Sequence, residues 1–427
     1  MRVALLALSA LFAAFLTKNP WWGPLPFLLL PPFWFFLNRS FREKLRSSLG
    51  SFWLVTIAQL APLMILKPVL SKDGAAIPLG LSFFVFQAIS FTADWRKKKI
   101  LEFPSLLDYW LYLLFFPKFL CGPIERFAKF NLEARKAAFL PRAHLPRALE
   151  LITLGLTKKF LLANYLRALT APWFDRPGPP ASLLEALAVV YAFAIEFYCD
   201  FSAYTDLARG TSLLFGVELG ENFNRPYLSR SVQDFWQRWH MSLSAWFRDY
   251  VHFPLFFAAK SLTLTVFVTF FLMGIWHGLG ANYLALGAYW GVVMALYSAV
   301  QPWRVRLKSA FERTNWWVPF CIIVTCHFVF ASFFLLRANG PEAFHKISLH
   351  EPWRLTPYVE QGALRIFFSL PLLFCVETVR HRAGGFFALS WPKKIGLLAF
   401  LAYYSLILFT FTEERGLTDV RFLYFQF

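Results

Sequence analysis

Charged residues are scarce in this chain. They make up 16% of the 427 residues, whereas 58% of the residues are hydrophobic. A soluble protein of this length needs charged side chains over most of its surface, but here they form short clusters between apolar stretches of membrane-spanning length. The composition therefore argues against a soluble protein and predicts a multi-pass, all-α protein in a lipid bilayer.

Several catalytic motifs are absent as well. No G-x-S-x-G nucleophile elbow, Walker A pattern or G-x-G-x-x-G fingerprint occurs, so serine-hydrolase and nucleotide-phosphate chemistry have no support. The five cysteines form no C-x-x-C pair, and His350 and Glu351 do not extend to the H-E-x-x-H pattern of zinc proteases. We therefore expect no metal site and no bound cofactor.

Acidic residues are outnumbered, with 25 Asp and Glu against 43 Lys and Arg, for a net charge of +18. Basic clusters at Arg39–Arg46 and Arg96–Lys99 flank two apolar segments. Because two crossings return the chain to its starting side, the positive-inside rule places both clusters on the cytoplasmic side. The charge is dispersed among loops and no recognition motif accompanies it, so nucleic acid is not an expected partner.

The apolar segments predict about 9–12 membrane spans, several of them short enough to be re-entrant or interfacial. Because a second segment follows the first almost at once, the first is predicted to be a span rather than a cleaved signal. No repeat or long linker marks a boundary, so we expect one integral-membrane domain over residues 1–427. The segments lie near 3–16, 24–37, 51–70, 76–93, 106–120, 150–170, 183–199, 264–300, 317–336, 363–377 and 394–411.

Four charged residues, Glu196, Asp200, Asp206 and Arg209, lie in strongly hydrophobic surroundings. A charge inside a bilayer is costly, so such groups usually face a bundle interior or a cavity and have a partner. Asp206 and Arg209 are three residues apart and could pair on one helix. A polar network that holds helices together is the favoured interpretation, and a catalytic role for one of the four stays open.

Residues 221–255 combine aromatic and charged side chains at helical spacing. Ser231 is a candidate N-cap, and we expect an interfacial or buried amphipathic helix over about 231–250. Trp236 and His240 would lie four residues apart on one face, where the indole could orient the imidazole. A purely structural role for His240 is an equal alternative at this point.

His277 interrupts an apolar run that also contains Gly274, Gly278 and Gly280. Small residues allow close helix contact, and an imidazole at that depth can stay neutral and accept a proton from an alcohol. Two buried histidines without a nearby nucleophile favour general-base catalysis. A histidine that hydrogen-bonds to a neighbouring helix is the alternative.

Four blocks of the sequence carry a recognisable pattern. They are FPKFLCGPIERF at 116–127, YCDFSAYTDLARGTSLLFG at 198–216, ENFNRPYLSRSVQDFWQRWHMSLSAWFRDYV at 221–251 and GIWHGLGANYLALGAYWG at 274–291. In their order and spacing, these blocks resemble the bacterial branch of the membrane-bound O-acyltransferase family, which includes proteins of alginate O-acetylation and teichoic-acid D-alanylation. The family-like core covers about 106–300, and the closing RFLYFQF is similar to the ending of many bacterial members.

The resemblance implies a multi-pass helical bundle around a funnel or tunnel in a bacterial plasma membrane. An acyl thioester, as acyl-CoA or on the phosphopantetheine of an acyl carrier protein, would arrive as co-substrate from the cytoplasm. A hydroxyl of an extracytoplasmic polysaccharide would be the acceptor. His277 matches the invariant histidine of the family and would be the general base, while His240 would orient the donor or stabilise developing charge. Residues expected to contact substrate are Trp236, Trp239, Trp276, Asn222, Asn224, Ser242 and Arg248.

The acyl group stays open between acetyl and D-alanyl. The sequence HFPLFFAAK after Tyr250 lacks the glycine turn of alginate-type members, whereas YCDFSAYTDLA resembles them. The resemblance also implies a separate periplasmic or extracellular acyltransferase as a partner. A transporter or flippase, or a membrane scaffold for such a transferase, is the rival reading, because helices with internal charges and glycine breaks also line substrate pathways.

Overall fold

In the part of the chain that the structure describes, the regular elements are helices, apart from one parallel pair of two-residue strands. The computed structural model describes residues 1–16, 25–72, 80–175, 181–311, 314–337, 347–348 and 352–381. The predicted segment at 394–411, the closing heptapeptide and the His350-Glu351 pair lie outside these residues. Strand β1 (Ala181–Ser182) pairs with β2 (Ile347–Ser348). The all-α fold class is confirmed.

Eighteen helices are described in these ranges. The first nine are α1 (Arg2–Leu16), α2 (Leu25–Ser40), α3 (Arg42–Ser47), α4 (Leu49–Lys72), α5 (Leu81–Arg96), α6 (Leu106–Leu114), α7 (Phe127–Arg135), α8 (Leu145–Thr157) and α9 (Asn164–Asp175). The others are α10 (Leu183–Leu213), α11 (Val232–Arg238), α12 (Met241–Phe247), α13 (Phe253–Ala259), α14 (Leu262–His277), α15 (Ala281–Ala299), α16 (Gln301–Phe311), α17 (Trp317–Arg337) and α18 (Pro357–Arg380). Single π-helical turns occupy Lys158–Ala163 and Arg248–His252, and 3-10 turns occupy Phe116–Lys118 and Pro226–Leu228.

Two helices of the described ranges, α17 and α18, are both long and apolar enough to cross a membrane. Shorter apolar helical stretches cover Arg2–Ala13, Leu49–Ile65 and Leu262–His277. Helix α6 has nine residues and is therefore about 13 Å long, which is less than half of a bilayer core. The predicted count of 9–12 spans stays a prediction.

The chain divides into two compact units. The first contains Met1–Ile152 and Thr205–Glu221, and the second contains the described residues of Thr153–Tyr204 and Asn222–Phe427. In the first unit Leu81 and every residue of α5 from Phe83 to Trp95 are buried. Arg209 pairs there with Glu221 at 3.0 Å, while its expected contact with Asp206 stays a prediction.

Buried polar groups join the helices of the second unit. Lys159 Nζ lies 2.8 Å from Asp200 Oδ1, and Thr170 donates a hydrogen bond to Glu196. All four side chains are buried. Because an unpaired charge is costly in an apolar interior, these contacts account for the charges of α10 within its hydrophobic sequence. The polar-network interpretation therefore holds for Asp200 and Glu196.

Candidate active site

His277 lies at the C-terminal end of α14, in a tight hairpin with α15. A Cβ atom on Gly274 would lie 2.5 Å from the Cα atom of Gly287, closer than real Cβ contacts come. Only glycine therefore allows the two helices to approach this closely, as the small residues around His277 predicted. The segment 264–300 contains two helices because the chain turns at 278–280.

Two aromatic rings contact the His277 imidazole. The Trp276 ring lies 4.5 Å from it between ring centroids, and the Tyr283 ring stacks on it at 6.0 Å with an interplanar angle of 21°. Gly278 leaves room for this arrangement, since a Cβ there would lie 2.6 Å from the Tyr283 ring. The hairpin turn therefore fixes the orientation of the imidazole.

His240 lies at a break between two helices, which corrects one prediction. Ser231 caps α11 as expected, because its hydroxyl accepts a hydrogen bond from the Asp234 backbone N–H at 3.1 Å. However, the expected continuous helix over 231–250 is wrong, since α11 ends at Arg238 and α12 begins at Met241. Trp236 and His240 therefore do not share one helical face. The backbone of His240 is left-handed, with φ of 41°, a region that non-glycine residues rarely adopt.

Both histidines line one cavity of the second unit. His240 is buried, and its ring meets the Phe201 ring edge-on at 4.8 Å. The space between the lining residues is about 570 Å³, counting its open mouth. The lining residues are Phe197, Phe201, Trp236, Trp239, His240, Leu243, Phe270, Met273, Gly274, His277, Leu286, Gly287, Trp290, Ser332, Phe333 and Leu336. Apolar pockets with a few polar groups are typical ligand sites.

Trp236 and Trp239 line this cavity, as expected of residues that contact substrate. The Trp236 ring packs on Trp290 at 5.0 Å. Its indole N–H is buried and has no hydrogen-bond acceptor among the residues that the structure describes. A buried donor of this kind is costly unless a ligand or water accepts from it. Trp236 is therefore equipped to bind a polar group.

The other predicted contact residues lie outside the cavity lining as far as the chain is described. Trp276 packs against the His277 ring. The hydrogen bonds next to His240 involve Asn222, Asn224 and Ser242. The Asn222 side-chain oxygen accepts a hydrogen bond from the Ser242 backbone N–H at 3.2 Å, and the Asn224 backbone N–H donates one to the Arg238 carbonyl at 2.9 Å. Arg248 is exposed and pairs with the adjacent Asp249. Their contact with substrate stays a prediction.

The sequence did not indicate the wall of the cavity that α17 supplies. Ser332, Phe333 and Leu336 lie beyond the predicted core of 106–300. The spacing of Ser332 and Leu336 places both on one helical face, but α17 is apolar all round, so nothing in its pattern marked that face.

A sequence profile of the MBOAT, membrane-bound O-acyltransferase family, matches residues 36–336. The chain belongs to the membrane-bound O-acyltransferase family. The resemblance seen in the four sequence blocks is thereby confirmed, and so are the expectations of an O-acyltransferase and of a membrane protein. The matched residues include both histidines and the α17 wall of the cavity.

The names of relatives within the family refer to different polymers. A teichoic acid D-alanyltransferase of Bacillus subtilis is 30% identical over 324 residues, which cover 70% of this chain and 80% of that protein. A probable alginate O-acetylase of Pseudomonas aeruginosa is 33% identical over 231 residues, 52% of this chain and 43% of that protein. A peptidoglycan O-acetyltransferase of Helicobacter pylori is 26% identical over 300 residues, 64% of this chain and 56% of that protein.

The aligned region thus spans about half the length of the O-acetylating relatives, between 43% and 56% of the two compared. Both named chemistries, D-alanyl and acetyl transfer, occur among relatives of similar identity. Identity to these relatives therefore does not select one acyl group for this member of the membrane-bound O-acyltransferase family.

Gly274→Ala should lower the yield of folded protein, because the new Cβ meets backbone atoms of Gly287 that no side-chain rotation can move. Overpacking of this kind costs roughly 1–3 kcal/mol. Gel filtration and melting temperature in detergent measure the effect. Gly50→Ala is the matched helical control, since its Cβ would meet only Ser48 Oγ at 3.7 Å. Equal stability of the two variants would contradict the close contact between α14 and α15.

Proposed function

We propose that this membrane-bound O-acyltransferase transfers an acyl group, acetyl or D-alanyl, from a thioester to a hydroxyl of an extracytoplasmic cell-envelope polymer. The observation that carries the proposal is the cavity in which His240, between α11 and α12, and His277, at the end of α14, meet a largely apolar lining. An apolar site of this kind weakens competing hydration and strengthens hydrogen bonds to the reacting groups.

In the proposed reaction His277 takes the proton of the acceptor hydroxyl as its oxygen attacks the thioester carbonyl. The carbon–oxygen bond forms, the carbon–sulfur bond breaks, and the leaving thiolate takes the proton from the imidazolium. The products are an ester and a free thiol. Proton removal by a positioned base typically contributes about 10²–10⁴ in rate, and the alignment of donor and acceptor contributes more.

His240 and the aromatic lining serve binding in this proposal. His240 orients the donor or stabilises the negative charge that develops on the carbonyl oxygen. The buried indole N–H of Trp236, which has no acceptor among the described residues, supports a contact with a polar group of the substrate. Trp239 also lines the cavity. The remaining proposed substrate-binding residues lie outside the described lining and would contact substrate after it binds, or hold the lining residues in place: Trp276, Asn222, Asn224, Ser242 and Arg248.

The proposed membrane topology, and the sides from which donor and acceptor arrive, are those that the family resemblance implies. The chain crosses a bacterial plasma membrane about 9–12 times around a central tunnel, in keeping with its apolar segments. The donor is acyl-CoA or an acyl carrier protein on the cytoplasmic side, and the acceptor is a glycan polymer on the opposite side. A periplasmic or extracellular acyltransferase is the proposed accessory partner. The thioester is a co-substrate, so no bound cofactor is needed for the step.

The test uses bacteria that lack envelope esters of their own and express this chain. Cells are fed isotope-labelled acetate or labelled D-alanine, and alkali-labile esters on purified envelope glycans are measured by mass spectrometry. The proposal expects one label to appear as ester only when the chain is present. A transporter would move labelled substrate without forming an ester, and a scaffold would require a second transferase in the same cells. The proposal is rejected if neither label appears as ester in cells that also contain an acyl carrier protein and a periplasmic or extracellular acyltransferase.

A further inference from the structure

The left-handed backbone of His240 is held by a segment that lies before α11 in the chain. Met241 N donates to the Asn222 backbone carbonyl at 2.9 Å, and Ser242 N donates to the Asn222 side-chain oxygen at 3.2 Å. Asn224 N donates to the carbonyl of Arg238 at 2.9 Å. Hydrogen bonds therefore tie residues on both sides of His240 to the segment 222–224.

Phe223, in the middle of that segment, also packs against the surroundings of His240. Its ring lies 5.0 Å from the Phe201 ring, which in turn contacts the imidazole, and 5.1 Å from the Trp239 ring. Phe223 is fully buried. A displacement of segment 222–224 would therefore move the rings around His240 as well as the backbone next to it, because closely packed side chains transmit small shifts.

A buried charge network on α18 holds this segment in turn. Arg380 Nη1 donates to the Phe223 carbonyl at 2.9 Å. The same guanidinium lies 3.7 Å from Glu377 Oε2, and Lys158 Nζ lies 2.9 Å from Glu377 Oε1. Arg225 donates to the Glu377 backbone carbonyl at 3.4 Å. Arg380, Glu377 and Lys158 are all buried, although none of them lines the cavity.

We infer that Arg380 is a positioning residue for His240, acting through segment 222–224. The inference rests on the proposed function for its catalytic consequence, but its structural part stands on the hydrogen bonds alone. Nη1, at the far end of the planar guanidinium, makes both the contact with the Phe223 carbonyl and the contact with Glu377. A lysine keeps the charge, but its single ammonium ends a shorter side chain.

Arg380→Lys tests the inference, with Arg365→Lys as the matched control. Arg365 lies on the same helix and also donates to a backbone carbonyl, that of Tyr165, which is not part of the His240 surroundings. Full-length protein in lipid nanodiscs is compared at equal folded amounts. In Arg380→Lys the amides of Met241 and Ser242 should exchange hydrogen for deuterium about tenfold faster, with no such change in Arg365→Lys. Unchanged exchange at these two amides would overturn the inference.

Turnover adds a second readout that a general loss of stability would not reproduce. Arg380→Lys should lower kcat about tenfold to a hundredfold, because small misplacements of catalytic groups are costly, and this loss should disappear in a His240→Ala background. If Arg380→Lys lowers kcat by the same factor in the His240→Ala background as in the wild type, the result would contradict action through His240. If the His240→Ala protein shows no activity, amide exchange decides alone. Failure of the proposed function is distinguishable, since the wild type would then form no ester whatever the exchange result.

Discussion

Cells that carry His277→Ala should lose the envelope ester that the wild-type chain forms. Removal of a general base typically lowers the rate by about 10²–10⁴. Among the described lining residues, His240 is the only other titratable side chain that could replace His277. Ester content per glycan, measured at matched membrane abundance of the protein, gives the result. His240→Ala should reduce turnover to a smaller extent, because orientation and charge stabilisation remain partly available from the other lining groups.

His327→Ala is the matched control for this experiment. His327 lies on α17 and is exposed, and its imidazole Nδ1–H donates a hydrogen bond to the Ile323 carbonyl of the same helix at 2.7 Å. It does not line the cavity as described. The control should retain its ester. Normal ester content with His277→Ala would reject His277 as the base and favour the transporter or scaffold reading.

Lys159→Met should strongly destabilise the second unit. Lys159 and Asp200 form an ion pair at 2.8 Å, and their side chains are 2% and 1% exposed. Breaking a buried ion pair by removing one of its two partners typically costs about 3–5 kcal/mol. The fraction of protein that stays monodisperse in detergent after heating, and the melting temperature, measure the loss.

Two further variants separate the buried charge from a general effect of losing a lysine. Lys136→Met breaks an ion pair with Glu133 at 3.1 Å whose lysine is 70% exposed, and exposed pairs contribute only about 0–1 kcal/mol. A double variant, Lys159→Met with Asp200→Leu, removes both charges and should regain much of the loss. Equal melting temperatures for Lys159→Met and Lys136→Met would contradict the prediction.

Much of the helical structure follows from apolar length and capping alone. The segment predicted at 317–336 is α17 (Trp317–Arg337), and the Ser231 N-cap is confirmed. These features depend on short stretches of chain, so local sequence is sufficient to predict them. The glycines beside His277 likewise predicted close helix contact, because the absence of side chains has the same consequence in any apolar helix pair.

The break at His240 could not be predicted in the same way. Its left-handed conformation depends on Asn222, 20 residues before Ser242, and on Arg380, 157 residues after Phe223. Local sequence favoured a continuous helix through this region, since aromatic residues recur at helical spacing. Contacts between distant residues overrode that preference, and they also determine which face of α17 completes the cavity.

The glycine contact between α14 and α15 also limits how this site can change. Backbone packs directly against backbone there. A substitution that changes the separation of the two helices would therefore disrupt the hairpin. The wall that other elements supply includes rings and aliphatic groups such as Phe197, Leu243 and Phe333, whose bulk can be trimmed one group at a time. Under the proposed function, a larger or smaller acyl group would therefore be accommodated by side-chain changes in that wall, while the spacing of α14 and α15 stays fixed.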